Sequence, residues 1–183
     1  MNCKKSLARV VYSIEMTIQN QGATENRYSV NMRTLCFLTR DNQVLLIRGA
    51  LDKRLWAGLY NGIGGHVEAG EDVYSACLRE LEEETGIKVS DIHLCGIITI
   101  DSSKEVGVCI FVFRGECQHG DPRPSTEGSV EWVALREIHH LPLVPDLYEL
   151  LPRVINKSVQ AEPFFAQYSY NEGDEMVIKF LNQ

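Results

Sequence analysis

The stretch from Arg79 to Ile87 reads RELEEETGI, and four of its first six residues are glutamates. Carboxylates gathered on one face can hold a hard divalent cation, because Mg²⁺ and Mn²⁺ prefer oxygen ligands. Carboxylates spread around a helix only solubilise it. Helix phase separates the two cases. With Val73 at 0° and about 100° per residue, Cys77 falls near 40°, Leu81 near 80° and Ala76 near 300°, which is the apolar stripe. On the same wheel Glu84 falls at about 20°, Glu80 at about 340° and Glu83 at about 280°, whereas Glu82 falls at about 180°. Glu82 therefore faces water. Glu80, Glu83 and Glu84 crowd into one inward arc, where they repel each other and lose hydration. Such a cluster needs compensation. A divalent cation supplies it, and Arg79 can pair with one carboxylate and orient it.

The neighbouring sequence supports this reading. Asp72 is a suitable N-cap and Gly86 a suitable C′ residue, which places a helix over about 72–85. That helix contains no lysine, so partners for a purely solubilising charge pattern are scarce. Before it lies NGIGG, Asn61 to Gly65. Glycines there let backbone approach a ligand closely. The loop's carbonyls could complete a metal shell, and its amides could face phosphate oxygens.

The elements that must position these groups are mostly strands. Val10 to Ile18 alternates apolar and other residues, as a strand does. QNQGATENRYS then reads as a loop or linker. RTLCFLTR and QVLLIRG, joined by Asp41-Asn42, predict a hairpin. Strand-like runs recur at HLCGIITID, VGVCIFVFRGEC and SVEWVAL; LREIHHL and PDLYELLPRVI read as helical. FFAQYSY and EMVIKFL predict a closing hairpin. Strands with one strong helix inserted and shorter helices late predict a mixed α/β sandwich rather than a regular βαβ repeat. The division expected is an extension over 1–32, a strand plus linker, followed by one domain over 33–183.

Composition narrows the function classes. The 183 residues carry 25 acidic and 18 basic side chains, a formal net charge of −7. An acidic chain with no basic block is a poor holder of long nucleic acid. If it binds phosphate, a cation or local basic groups must offset the repulsion. The six cysteines form no C-x-x-C pair. They read as buried free thiols suited to a reducing compartment. The opening MNCKKSLARVVYSIEM has too short an apolar core for a signal peptide, and no run approaches the roughly 20 apolar residues of a membrane helix. A soluble, cytoplasmic protein is the expectation. Monomer and homodimer both stay open, since an added N-terminal strand could pair with a neighbour's sheet edge or cover its own.

From Gly65 the sequence reads GHVEAGEDVYSACLRELEEETGI. It resembles the box of the Nudix family, G-x5-E-x7-R-E-U-x-E-E-x-G-U with U bulky and apolar. Gly65, Glu71, Arg79, Glu80, Leu81, Glu83, Glu84, Gly86 and Ile87 occupy every fixed position. The resemblance implies an α/β/α sandwich with a mixed central sheet, and hydrolysis of a nucleoside diphosphate linked to another group X with Mg²⁺ or Mn²⁺. It implies that Glu80, Glu83 and Glu84 ligate the metal, joined by the carbonyl of Gly64 or Gly65, and that Arg79 orients a neighbouring glutamate. Glu71 would be structural or support that network.

Beyond the box the chain resembles the branch of the family that cleaves 8-oxo-dGTP. That resemblance implies base contact by Asn61, a pocket position for Thr34, and a metal-ligand or base role for Glu127. Val144-Pro145-Asp146-Leu147 stands where that branch carries Trp-Pro-Asp-Asp, so Asp146 matches while the stacking Trp and second Asp are absent. Plainer readings stand beside these. Asn61 suits a turn at a Gly step, Asp146 suits a helix N-cap, Thr34 suits a strand, and Glu127 suits a loop. His66, His139 and His140 are assigned no chemistry, and Trp132 reads as core. The function implied is a Mg²⁺-dependent pyrophosphohydrolase of a purine nucleoside triphosphate, oxidised purines included. The alternatives are the same chemistry on ADP-ribose, a dinucleotide or a cofactor, and a non-catalytic nucleotide-binding regulator. The complete box argues against the regulator.

Overall fold

A computed structural model describes residues 22, 27–52, 55–123, 128–156 and 161–181. Among these residues the strands and α-helices are β1 (Ser29–Arg40), β2 (Gln43–Gly49), β3 (Tyr60–Asn61), α1 (Val73–Thr85), β4 (Ile92–Ile100), β5 (Val106–Glu116), β6 (Gly128–Ala134), α2 (Leu147–Asn156), β7 (Phe164–Tyr170) and β8 (Met176–Leu181). A 3-10 helix over Leu135–His140 follows β6. The strands form one mixed sheet in the order β3-β2-β1-β5-β4-β7-β8, with β6 also pairing β2. β1 runs parallel to β5, and β4 parallel to β7; the other pairs are antiparallel.

The expected hairpin is present. Asp41 and Asn42 both have positive φ, 45° and 62°, as a two-residue turn matching strand twist requires. β1 begins four residues before the predicted start at Arg33, because parallel pairing with β5 runs from Ser29 opposite Val106 to Thr39 opposite Glu116. The LREIHHL segment is 3-10 rather than α-helical. The closing hairpin of β7 and β8 extends the same sheet. The alternating stretch Val10–Ile18 lies outside the described residues.

Apolar residues alternate along β1, so the sheet carries a core on each face. Leu35 and Phe37 join a cluster with Leu147, Leu150, Leu151 and Val154 of α2. Cys36 and Leu38 join the other, with Cys77 and Leu81 of α1. This is the layered α/β/α arrangement. The five described cysteines, Cys36, Cys77, Cys95, Cys109 and Cys117, are free and buried. Among the described residues no helix is long and apolar enough to cross a membrane.

β1 and β2 pair only next to their turn, at Thr39–Val44 and Arg40–Gln43. Beyond that they diverge, and the edge of β1 is taken by the glycine segment. Cys36 N–H donates to Ile63 O at 2.7 Å, Ile63 N–H to Cys36 O at 3.1 Å, Thr34 N–H to Gly65 O at 2.9 Å and Val67 N–H to Met32 O at 3.0 Å. The glycines permit this contact. A Cβ on Gly64, whose φ is 155°, would lie 2.1 Å from Thr34 O. A Cβ on Gly62 would lie 2.8 Å from the Phe37 ring. The close approach expected of this loop is thus made first to the protein's own backbone.

α1 has the expected ends. The Asp72 carboxylate accepts the N–H groups of Tyr74 and Ser75, at 2.9 and 3.0 Å. Gly86 adopts φ 72° and donates its N–H to Glu82 O. Ala76, Cys77, Leu81 and Thr85 are buried, as the helix phase requires.

The loop contacts predict a graded response to alanine. Gly64→Ala should cost about 3 kcal/mol or more, from disfavoured φ plus collision with β1. Gly70→Ala, with φ 84° and nothing within 4 Å, should cost only about 1–2 kcal/mol. Denaturant midpoints at unchanged m measure both, and equal losses would refute this account of the loop.

Candidate active site

Arg79 organises the site. Its Nε donates to Glu71 Oε1 at 2.9 Å, and one terminal nitrogen donates to Glu80 Oε1 at 2.9 Å and Glu83 Oε2 at 3.0 Å. The other donates to Glu71 Oε2 at 3.1 Å and to the His66 carbonyl at 3.0 Å. One guanidinium therefore spans three carboxylates and ties α1 to the loop before it. Its bond to Glu71, then those to Glu80 and Glu83, push the Arg79 pKa above its ordinary value. Glu71 in turn is held below the usual carboxylate range, first by Arg79 and then by the Glu68 N–H.

The glutamates sort as the helix phase proposes, with one difference. Glu80 is enclosed, its side chain 15% exposed. Glu82 points outward and pairs with Lys88 at 2.7 Å. Glu83, placed at the edge of the inward arc, is 60% exposed. Its i, i+4 bond to Arg79 draws it along the rim of the helix rather than inward. Glu84 is half-buried, and its carboxylate accepts the Gly64 N–H at a long 3.4 Å.

A cavity of about 700 Å³ opens over these groups. Its lining includes Glu80, Glu83, Glu84, Gly64, Gly65 and Asn61, so these six candidates share one space. A Cβ on Gly65 would lie 2.4 Å from Glu80 Oε1: this glycine makes room for the carboxylate. Asn61 uses its side-chain oxygen to accept the Gly62 N–H at 2.8 Å, the turn role open to it from sequence.

Two candidates sit elsewhere. Thr34 is buried at 3% exposure, its hydroxyl without a hydrogen-bond partner, and it does not line the cavity. It faces the α1 layer, as Cys36 and Leu38 do. Asp146 precedes α2, and its carbonyl accepts the N–H groups of Glu149 and Leu150. That is an N-cap position, outside the cavity lining. Burial raises the Asp146 pKa, and its neighbour Tyr168 is raised by burial and then by the Asp146 charge. Glu127 lies outside the described residues.

The cavity also exposes groups that sequence reasoning passed over. Arg33 lines it, as do His66, Glu68, Ile47, Leu55, Trp56 and Leu59. Arg33 was hidden by its place at the edge of an apolar strand. His66, whose sequence context carries no chemical signal, lies opposite Arg33 across the loop pairing.

The donor chemistry fits a hard divalent cation. Three carboxylates and a glycine loop face one cavity, and Arg79 takes a single oxygen from Glu80 and from Glu83. The loop bond to Thr34 uses the Gly65 carbonyl, not that of Gly64. Among the described residues no group of three or more His, Cys, Asp or Glu side chains is already placed to hold a metal ion. The site is an open set of oxygen donors.

Comparison with known proteins agrees with this geometry. The NUDIX domain family matches residues 31–154. The chain is 30% identical over 152 residues to the mouse (Mus musculus) oxidized purine nucleoside triphosphate hydrolase, covering 82% of this chain and 93% of that protein. The zebrafish (Danio rerio) protein of the same name is 27% identical, covering 83% and 94%. The crystal structure of a MutT protein from Bacillus halodurans superimposes with a TM-score of 0.64 at 26% identity, covering 82% of this chain and 97% of that one. With its box complete and its glutamates gathered over one cavity, the chain belongs to the NUDIX family.

Proposed function

We propose that this protein hydrolyses a purine nucleoside triphosphate, oxidised purines included, to the monophosphate and pyrophosphate, with Mg²⁺ or Mn²⁺. The enzyme class, a NUDIX hydrolase acting on phosphoric anhydride bonds, follows from the family; the substrate and the cation are what is proposed. The observation that carries the reading is the shared cavity of Glu80, Glu83, Glu84, Gly64 and Gly65. Two relatives named as oxidized purine nucleoside triphosphate hydrolases, each matched over more than nine-tenths of its length, support the choice of X.

In this reading Glu80, Glu83 and Glu84 would hold the cation with the Gly64 carbonyl, and Glu127, outside the described residues, is assigned to the same set. A cation held there would supply charge neutralisation at the phosphates and a more acidic water. The chain's own residues do the positioning. Arg79 locks Glu80 and Glu83 by one oxygen each and leaves Glu84 to the Gly64 N–H. Arg33, at the cavity wall, offers a cation for a phosphate oxygen. A carboxylate of the glutamate set takes the proton of the attacking water as its oxygen bonds to one phosphorus in line, while the anhydride bond between the α- and β-phosphates breaks and pyrophosphate leaves. Asn61 and the pocket places proposed for Thr34 and Asp146 concern the base. The last two lie outside the cavity lining, so purine choice falls to other groups.

Glu84→Gln keeps the size of the side chain and removes its charge. Turnover should fall by about 100-fold or more with the fold unchanged; equal activity in the two proteins under Mg²⁺ would sink the assignment. A panel of dGTP, 8-oxo-dGTP, dCTP, ADP-ribose, NADH and diadenosine polyphosphates, with product analysis, tests the substrate. Purine triphosphates should be cleaved fastest, releasing pyrophosphate. Faster cleavage of ADP-ribose would overturn the triphosphate preference. No cleavage of any member with Mg²⁺ or Mn²⁺ would favour a binding role.

A further inference from the structure

Both tryptophans of the chain lie among the described residues, and they are placed very differently. Trp132 has the Arg40 guanidinium stacked 4.3 Å from its ring centroid. Trp56 has no such cover. The residue is 46% exposed and lines the cavity, and among the described residues its side chain makes no ring, cation–π or hydrogen-bond contact.

Its backbone is held all the same. Trp56 adopts φ 62°, a left-handed conformation that is costly for a bulky residue and persists only where the surroundings impose it. The surroundings here are explicit. Leu59 N–H donates to Trp56 O at 3.0 Å, Gly58 N–H to Gly49 O at 2.9 Å and Gly49 N–H to Leu59 O at 3.0 Å. Arg48 Nε donates to Gly58 O at 3.2 Å. A Cβ on Gly49 would lie 2.6 Å from Trp56 O, so the end of β2 grips this turn directly. The turn is fixed while the ring it carries is left uncovered.

The position of the ring suits one kind of ligand. Leu59 leads into β3, and the chain from Leu59 to Gly64 is mostly extended, a run of roughly 15 Å. The cavity therefore has Gly64, Gly65 and the box glutamates towards one end of this run and Leu55, Trp56 and Leu59 towards the other. A nucleotide has the same two-ended character: charged phosphates joined through a sugar to a flat aromatic base. Aromatic side chains bind such bases by stacking, which tolerates base identity because every base has a π face.

We propose that Trp56 is the base-stacking platform of this site, setting affinity for nucleotides over non-nucleoside polyphosphates. The proposal rests on the nucleotide-hydrolysing reading of the cavity. It also accounts for the strained turn: the conformation turns a large aromatic surface to the cavity instead of to the core.

The test compares wild type, Trp56→Phe, Trp56→Leu and Trp56→Gly. For dGTP with Mg²⁺, Leu and Gly should raise KM by about tenfold or more at nearly constant kcat, and Phe should stay within about threefold of wild type. Competitive inhibition by inorganic tripolyphosphate should be unchanged in all of them. Trp56→Gly relieves the left-handed strain, so its Tm should equal or exceed that of wild type, where a merely structural tryptophan would lower it. In the Glu84→Gln protein, dGTP should quench indole fluorescence, and adding Trp56→Phe should abolish the quench. Wild-type cleavage of dGTP with an unaltered KM in Trp56→Leu would overturn the stacking role alone. Equal weakening of dGTP and tripolyphosphate would overturn it too, by showing general damage to the site. Absence of nucleotide cleavage or binding by wild type would instead overturn the functional reading beneath it.

Discussion

One guanidinium lies among carboxylates that would otherwise repel each other. Arg79 reaches Glu71, Glu80, Glu83 and the His66 carbonyl with all three nitrogens. Lysine, with a single ammonium nitrogen, could not span the same set in a fixed plane. The consequence is mechanical as well as electrostatic. Glu71 and His66 belong to the segment before α1, whereas Glu80 and Glu83 belong to α1 itself. Arg79 therefore sets the angle at which α1 meets the loop, and hence where Glu84 and the glycines stand. Its side chain is 29% exposed, so solvent screens these pairs only in part.

The other fixed part is the edge of β1. Because β2 parts from β1 after two residue pairs, a row of backbone donors and acceptors would be left open. The glycine segment closes that row, and its close contact with Thr34 O is possible only without a Cβ. The same segment lines the cavity on its other side. A sheet edge and an active-site wall are thus one stretch of chain, which couples local stability to the geometry of the site.

Much of this was legible in the sequence, for a definite reason. Asp72, Gly86 and Asp41-Asn42 encode local geometry, and helix phase alone separated Glu82 from Glu80 and Glu84. The start of β1 at Ser29 was not legible, because pairing with β5, far along the chain, recruits residues of weak strand character. Nor was the exposure of Glu83, which its bond to Arg79 decides. The glycines of the loop signal a close approach without naming its target, and the first contact is with β1, a non-local neighbour. Trp56 was invisible for a similar reason. Nothing in LWAGL reveals a positive φ, which is imposed by bonds from Gly49 and Leu59.

The remaining question is how one carboxylate set can be neutralised by Arg79 and still serve a cation. The pattern of oxygens gives the answer. Glu71 has both oxygens engaged, Oε1 by Arg79 Nε and Oε2 by a terminal nitrogen and the Glu68 N–H. It is saturated, and its part is to hold Arg79. Glu80 and Glu83 each give Arg79 one oxygen, Oε1 and Oε2 respectively. Each carboxylate has a second oxygen that Arg79 does not take, and a carboxylate can accept on both. The guanidinium thus lowers the repulsion enough for the cluster to exist alone, yet withholds too little of it to fill the site. In the proposed reading, a second positive charge on the cavity side would complete the compensation, and Arg33 and a bound cation are the two groups that could supply it.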